Sequence, residues 1–423
     1  MKKLLLLFII PYMLNAHTIQ ELFDALKSHS QTRVDEMIIQ KAEVAEKQAK
    51  AQLSPNVDFF TSLDRYTRDT ALVPIAPSES AKMLKNHSIA QPFSKNILRT
   101  GVKFTMPLFV KSISTMIEKA KTMQSSAKAK KEIDLLKNEA LIVGSNANLR
   151  YLEELETSLE QKENSLQETK RILQVKVDSG RVPASALYKL EDGLNQIAIA
   201  KNSIELKKQE IIAKIESLTG KEITHSIPMQ ELNSVTQDEL GSLKPLQEKI
   251  EANRLEVKAQ KEKLNPAVFA HGSYSYSLAD AYNNSDFVHK DYGDIGLILK
   301  IPLLAKSQDR EIMKSKVELM SSQVELEKLQ DELMAKAKRL NKSLPLLENS
   351  ISLGESSVAK REQLLKIAKV SYESARMTIE EYLRYEDDVV EAKAKIYQAK
   401  AQKWQTLMEL AVIYANNIEE IVQ

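Results

Sequence analysis

The chain has 423 residues, yet with 10 glycines, 5% aromatic and 28% charged residues it has the make-up of long helices rather than of several globular domains. Its 60 Lys and Arg against 58 Asp and Glu leave a net charge of +2, which argues against the concentrated basic surface of a nucleic-acid binder. With no cysteine, a disulfide framework, a thiolate metal site and a lipidated cysteine are all excluded.

Residues 1–16 read as a signal peptide: basic Lys2 and Lys3, a short apolar run from Leu4 to Ile10, and a small residue, Ala16, at the expected cleavage point. That run is too short to span a bilayer as a helix, and no later stretch approaches the length of about 18 apolar residues that a spanning helix needs. An exported chain without such a helix can still enter a membrane as a β-barrel.

Residues 18–52 have a helical pattern that Pro55 stops. Over 56–66 the pattern changes to alternation, Val57, Phe59, Thr61 and Leu63 against Asp58, Phe60, Ser62 and Asp64. Residues 67–95 read as a loop. A second strand covers 97–109, with Val102, Phe104, Met106 and Leu108 on one face. A long helix is expected over 112–175, about 90 Å at about 1.5 Å per residue. Its stripe changes phase between Ala147 and Leu152. Asp178-Ser179-Gly180-Arg181 makes a turn, Pro183 falls in the first turn of the next helix, and Gly220 caps that helix.

After a connector over 221–242 the order repeats. A helix over 244–264 is stopped by Pro266. One strand covers 267–278, with His271 on its polar side. Another covers 292–303, with Ile295, Leu297, Leu299 and Ile301 on one face. A long helix over 307–371 and a last helix over 378–421 follow. Gly101 and Gly296, Pro107 and Pro302, and Gly180 and Ala375 are each 195 positions apart, so the halves are in register from second strand to hairpin. The domain reading is a signal peptide (1–16), a first repeat of helix, two strands and helical hairpin (17–220), a connector (221–242) and a second repeat (243–423).

Four strands cannot close a barrel, and open edges are not tolerated in lipid. The strands therefore imply an oligomer or a soluble sheet, and their pattern alone leaves both open. A lipid-facing side would carry Val102, Phe104, Met106, Ile295, Leu297 and Leu299. The histidines lack metal-ligand spacing, and Met116/Met123 and Met313/Met320, each seven apart, fit core packing better than a metal exporter. No phosphate loop, nucleophile elbow or paired-carboxylate site is present, so neither an enzyme nor a cofactor is expected.

The ordered set of Leu53-Ser54-Pro55, Leu264-Asn265-Pro266, Met106-Pro107-Leu108-Phe109, Ile301-Pro302-Leu303-Leu304 and the turns at 177–181 and 372–376 resembles the TolC-like outer-membrane efflux protein family over essentially the whole mature sequence. The resemblance implies a homotrimer, its strands closing one twelve-stranded β-barrel and its antiparallel coiled-coil helices forming a periplasmic α-barrel. It implies a passive exit duct in the outer membrane for a tripartite efflux pump or a type I secretion system. An inner-membrane pump and a periplasmic adaptor would be its partners, with outer-membrane lipid around the barrel and no nucleic acid.

Glu380 and Glu381 stand where the family places gate carboxylates, and Arg384 where a second acidic residue is usual. Arg384 could pair with Glu381 across i,i+3, or Glu381 could be an ordinary solvated helix residue. Adaptor docking would use the tips Gly180-Arg181-Val182 and Ala375-Arg376-Met377, the alternative being simple capped turns. Ala375 departs from the usual glycine, so that turn must avoid positive φ or accept strain. The competing classes are a periplasmic adaptor and a coiled-coil scaffold without a pore.

Overall fold

The computed structural model describes residues 18–86, 88–284, 286–374 and 376–423. The expected signal peptide, His17, His87 and Ala375 lie outside the described residues. Nine helices and four strands follow in the order α1 (Ile19–Ser28), α2 (Ser30–Ala51), β1 (Asn56–Ala71), α3 (Pro77–Lys85), β2 (Phe93–Phe109), α4 (Lys111–Asp178), α5 (Ala184–Thr219), α6 (Lys244–Glu262), β3 (Ala267–Asp280), β4 (Phe287–Lys300), α7 (Lys306–Glu373), α8 (Ile379–Tyr414) and α9 (Ile418–Ile421) among the described residues. The bounds of α4 and α7 differ by 195, and so do those of α5 and α8. Compactness divides the chain differently: each of two units draws on both halves.

One unit comprises Ile38–Ala127 and Leu246–Glu325. Its sheet is an antiparallel meander in the order β1-β2-β3-β4, so β1 and β4 are its edges. Helix stretches beside it are joined by polar contacts. Lys119 Nζ reaches Glu256 at 2.6 Å, the Gln124 amide donates to Glu43 at 3.1 Å, and Asn253 donates to Ser322 at 2.8 Å. The strands run further than the alternation predicts, β1 to Ala71 and β2 from Phe93. The expected loop contains α3 and is anchored. Gln91 Nε2 donates to Met83 O at 3.0 Å, and the Gln91 N–H donates to Asn283 Oδ1 at 2.9 Å. These bonds satisfy backbone groups that a loose loop would leave to water. Met106-Pro107 lies inside β2 beside a bulge, whereas Ile301-Pro302 follows the end of β4.

The other unit comprises the described residues up to Met37, Lys128–Pro245 and Leu326–Gln423. Its larger core joins Leu22, Phe23 and Leu26 of α1 to Ile142 and Leu149 of α4, Leu407 and Ala411 of α8, and Ile418 and Ile421 of α9. The expected single helix over 18–52 is therefore two. The chain turns at His29, an extended residue with ψ 162°, which lets α1 bury its apolar side, and Thr32 Oγ1 caps the break by donating to Leu26 O at 2.7 Å. The last helix stops at Tyr414, because Ala415 is left-handed (φ 54°) and lies against Gly241, where a Cβ would come within 2.6 Å of the Ala415 Cβ. The connector is held by Asn146, fully buried on α4. Its amide donates to Ile227 O at 2.7 Å and accepts from Ile227 N–H at 2.8 Å. Pro345 sits inside α7, which runs on through the missing backbone donor while Leu344 beside it packs on the core.

A second core in the same unit follows a seven-residue repeat on α4, Leu152, Leu159, Leu166 and Leu173. These meet Leu187, Leu190, Ile197 and Ile204 of α5, with Tyr372 of α7 and Tyr382 of α8. At the first turn Gly180 adopts φ 71°, which lets the Arg181 N–H reach Lys176 O at 2.9 Å. Pro183 is the cap residue before α5 rather than part of its first turn. Gly220 is left-handed (φ 67°) and caps α5 as expected.

Candidate functional site: the strand sheet and the hairpin tips

Residues opposed in an antiparallel pair share a face, so the register sorts the sheet into two sides. Phe59 faces Val102 and Val102 faces Tyr274; Phe104 faces Gly272, and Gly272 faces Ile295. Met106, Ala270 and Leu297 form another row, and Val268 pairs with Leu299. Val102, Phe104, Met106, Ile295, Leu297 and Leu299 thus lie on one side, joined by Val57, Phe59 and Leu63. Ile295 is 82% exposed and Leu63 is 78% exposed. Further along the same side Tyr274 donates to Asp291 at 3.2 Å, and Tyr276 stacks on His289 at 5.3 Å.

The opposite side carries Asp58, Ser62 and Asp64, then Lys103 and Arg99, then His271, Ser273 and Ser275, and finally Asp294 and Lys290. Ser273 donates to Asp294 at 2.5 Å, and His271 Nδ1 lies 3.6 Å from the same carboxylate. Two glycines permit this packing. A Cβ at Gly101 would meet Tyr274 O at 2.3 Å, and one at Gly296 would meet His271 Nε2 at 2.8 Å. An exposed apolar side of this extent needs a cover. Among the described residues no helix is long and apolar enough to cross a membrane, and no cluster of His, Asp and Glu could hold a metal ion.

At the tips, Gly180, Arg181 and Arg376 are exposed. Val182 and Met377 are half-buried and pack against the core of Leu173, Leu190 and Tyr372. The hairpin therefore covers these two tip residues in part itself.

Glu380 and Glu381 occupy the first turn of α8. Glu380 Oε1 pairs with Lys189 Nζ of α5 at 2.6 Å, and this bond holds the carboxyl below its usual range. Glu381 turns back on its own helix start. Its carboxylate accepts from the Thr378 N–H at 3.0 Å, while the Glu381 N–H donates to Thr378 Oγ1 at 3.3 Å. This capping box leaves no Glu381–Arg384 pair, and Arg384 is exposed with no ion pair among the described residues.

Behind the first turn lies a group that the sequence reading missed. Tyr382 OH donates to Glu386 at 2.5 Å, and Ser165 Oγ donates to the same carboxylate oxygen at 2.6 Å. Burial, then the bond to Glu386, pushes the Tyr382 phenol up. Tyr372 stacks on Tyr382 at 5.3 Å, and its own hydroxyl is buried without a partner. Tyr382 and Glu386 at i,i+4 beside a serine-bearing helix was the available signal.

The geometry is now matched by known structures. The crystal structure of the Campylobacter jejuni CmeC outer-membrane channel covers 94% of this chain and 85% of its own, with a TM-score of 0.74 at 16% identity. The outer-membrane protein VceC of Vibrio cholerae covers 94% of this chain and 96% of its own, with a TM-score of 0.75 at 14% identity. The chain has the outer-membrane channel fold. MtrE of Neisseria gonorrhoeae, an outer-membrane channel solved in its open state, agrees with a TM-score of 0.70 at 13% identity, covering 94% of this chain and 88% of its own. The sequence itself matches no family model and no curated protein. The expected fold class, mainly helical with a four-stranded β element, is the one observed.

Proposed function

We propose that this chain is an outer-membrane exit duct, a passive channel serving a tripartite efflux pump or a type I secretion system. The observation that carries the reading is the open four-stranded sheet, with one side apolar and exposed and the other lined by Asp, Lys, Arg, His and Ser. That division suits lipid outside and water inside, and three copies would supply the strands of one closed barrel. The channel fold supports it. In this reading the protein sits in the outer membrane and extends into the periplasm, and the duplicated hairpins are its periplasmic part. A periplasmic adaptor and an inner-membrane pump meet it at the exposed Gly180, Arg181 and Arg376. Glu380, Glu381 and Arg384 border the inner opening, with Arg384 the charge left without a partner.

Purified protein in a planar bilayer is expected to give discrete conductance steps and to migrate as a heat-dissociable trimer from outer-membrane fractions. A soluble periplasmic monomer, or a trimer without conductance, overturns the reading. Arg384→Glu is expected to shift the channel towards cations, and unchanged selectivity would remove Arg384 from the opening.

A further inference from the structure

Between α4, α8 and the connector lies a cavity of about 370 Å³, lined by Tyr151 of α4, Tyr397 and Trp404 of α8, and Met229 of the connector. That volume falls within the range of small-ligand sites. Ala147 and Ala401 in its wall are buried, and being small they leave the room that larger side chains would fill. The connector side is fixed in advance, because the Asn146 amide holds both the N–H and the carbonyl of Ile227.

Three aromatic residues around one cavity are a concentration in a chain with 5% aromatic residues, and Trp404 is its single tryptophan. The helix scaffold does not need them. At the positions 195 away, Tyr151 becomes Leu346, Tyr397 becomes Asn202, Trp404 becomes Gln209 and Ala401 becomes Leu206. One half thus holds ring faces and space where the other holds aliphatic or amide side chains and bulk. The indole N–H of Trp404 has no hydrogen-bond partner among the described residues, so a donor is free at the cavity.

The cavity also has a charge preference. Arg150 and Lys400 line it against one acid, Glu154. Arg150 meets Glu154 at 2.7 Å and Lys400 meets Glu355 at 2.9 Å, yet a guanidinium and an ammonium each have more donors than one carboxylate fills. Lys400 stands over the Tyr397 ring, 5.9 Å from its centroid, so a cationic guest would find that ring face taken. The remaining rings and the free donors select a flat ring that carries an anion.

We propose that this cavity binds a small planar aromatic acid, its ring against Tyr151 and Trp404 and its carboxylate or sulfonate at Arg150 and Lys400. The site lies within one chain and does not depend on the exit-duct reading.

Trp404, as the single tryptophan, reports on the site directly. Naphthalene sulfonate titrated into the purified protein is expected to change Trp404 emission saturably, with one site per chain by calorimetry. Naphthalenemethanol, a neutral ring of similar size, should bind about tenfold more weakly, and Arg150→Gln should weaken the sulfonate by about the same factor. Ala401→Leu, which puts the other half's residue into the cavity, should abolish the emission change. Should that variant fail to fold by circular dichroism, Tyr151→Leu, again the other half's residue, is expected to weaken binding about fivefold. Equal affinity for the acid and the alcohol, equal affinity in wild type and Arg150→Gln, or no saturable change in the wild type overturns the proposal.

Discussion

The two hairpins have helix bounds 195 positions apart and different chemistry. Where α5 starts, Pro183 is the cap residue and offers no side-chain bond; 195 positions on, Thr378 and Glu381 close a capping box over the start of α8. Where α8 carries Tyr382 in a hydrogen-bonded group with Glu386 and Ser165, α5 carries buried Leu187. Duplication preserved the helix bounds and let side chains diverge, so buried Leu187 on α5 stands where α8 has a buried polar group. Buried polar groups are more specific and more easily broken than packing, because each orphaned partner is costly.

The largest expected effect sharpens the comparison further along the helices. Glu139 of α4 is buried, and burial followed by the Glu419 charge pushes its carboxyl up to about 7, opposed by Lys27; the counterpart on α7 is exposed Met334. Between the ordinary carboxyl value and about 7, folded Glu139 keeps a proton that the unfolded chain has lost. Stability should therefore fall as pH rises through that window, by about 3 kcal/mol. Denaturant midpoints at pH 5 and pH 8 measure it, and Glu139→Gln should flatten the slope, whereas Met334→Gln should leave it unchanged.

Next is Tyr382→Phe, which leaves Glu386 short of a donor in a buried site and should cost about 2 kcal/mol. Gly180→Ala should cost about 1 to 2 kcal/mol from its positive φ alone, since nothing lies within 4 Å of the added Cβ. Thr378→Ala should cost about 1 kcal/mol, and Pro183→Thr with Ala186→Glu should gain a similar amount by giving α5 the box it lacks. Smallest is Lys189→Ala. The exposed pair with Glu380 is worth under about 1 kcal/mol, an effect that should disappear in high salt. Circular dichroism during chemical unfolding separates the four losses in order and shows the one gain.

Much of the fold was legible because it rests on periodicity. Pro55 and Pro266 stop helices before β1 and β3, the strand alternation matches the observed faces, and the shift of 195 reappears in helix bounds. Less was legible where a long-range contact overrides local pattern. The break at His29 exists because α1 is pulled into a core supplied by α4 and α8, and the stop at Tyr414 depends on Gly241. Pro345 shows the reverse, a local stop signal that α7 ignores. At the tips the sequence located the residues without their bonds. Thr378-x-x-Glu381 is a capping signature in its own right, and that local role takes up the carboxylate for which pairing with Arg384 was one of two alternatives. The partial cover of Val182 and Met377 depends on tertiary packing that no spacing reveals.

The open edges of β1 and β4 have a consequence for the life of the chain before assembly. Each newly made copy carries two rows of unsatisfied amides and carbonyls that any other strand can pair with, its own kind or not. In a trimer built as proposed, completion depends on encounter, so correct pairing accelerates steeply with the supply of copies while mispairing is open from the first moment. Expression level is then part of the folding problem. Scarce chains linger with exposed edges and depend on an escort, and abundant ones close one another.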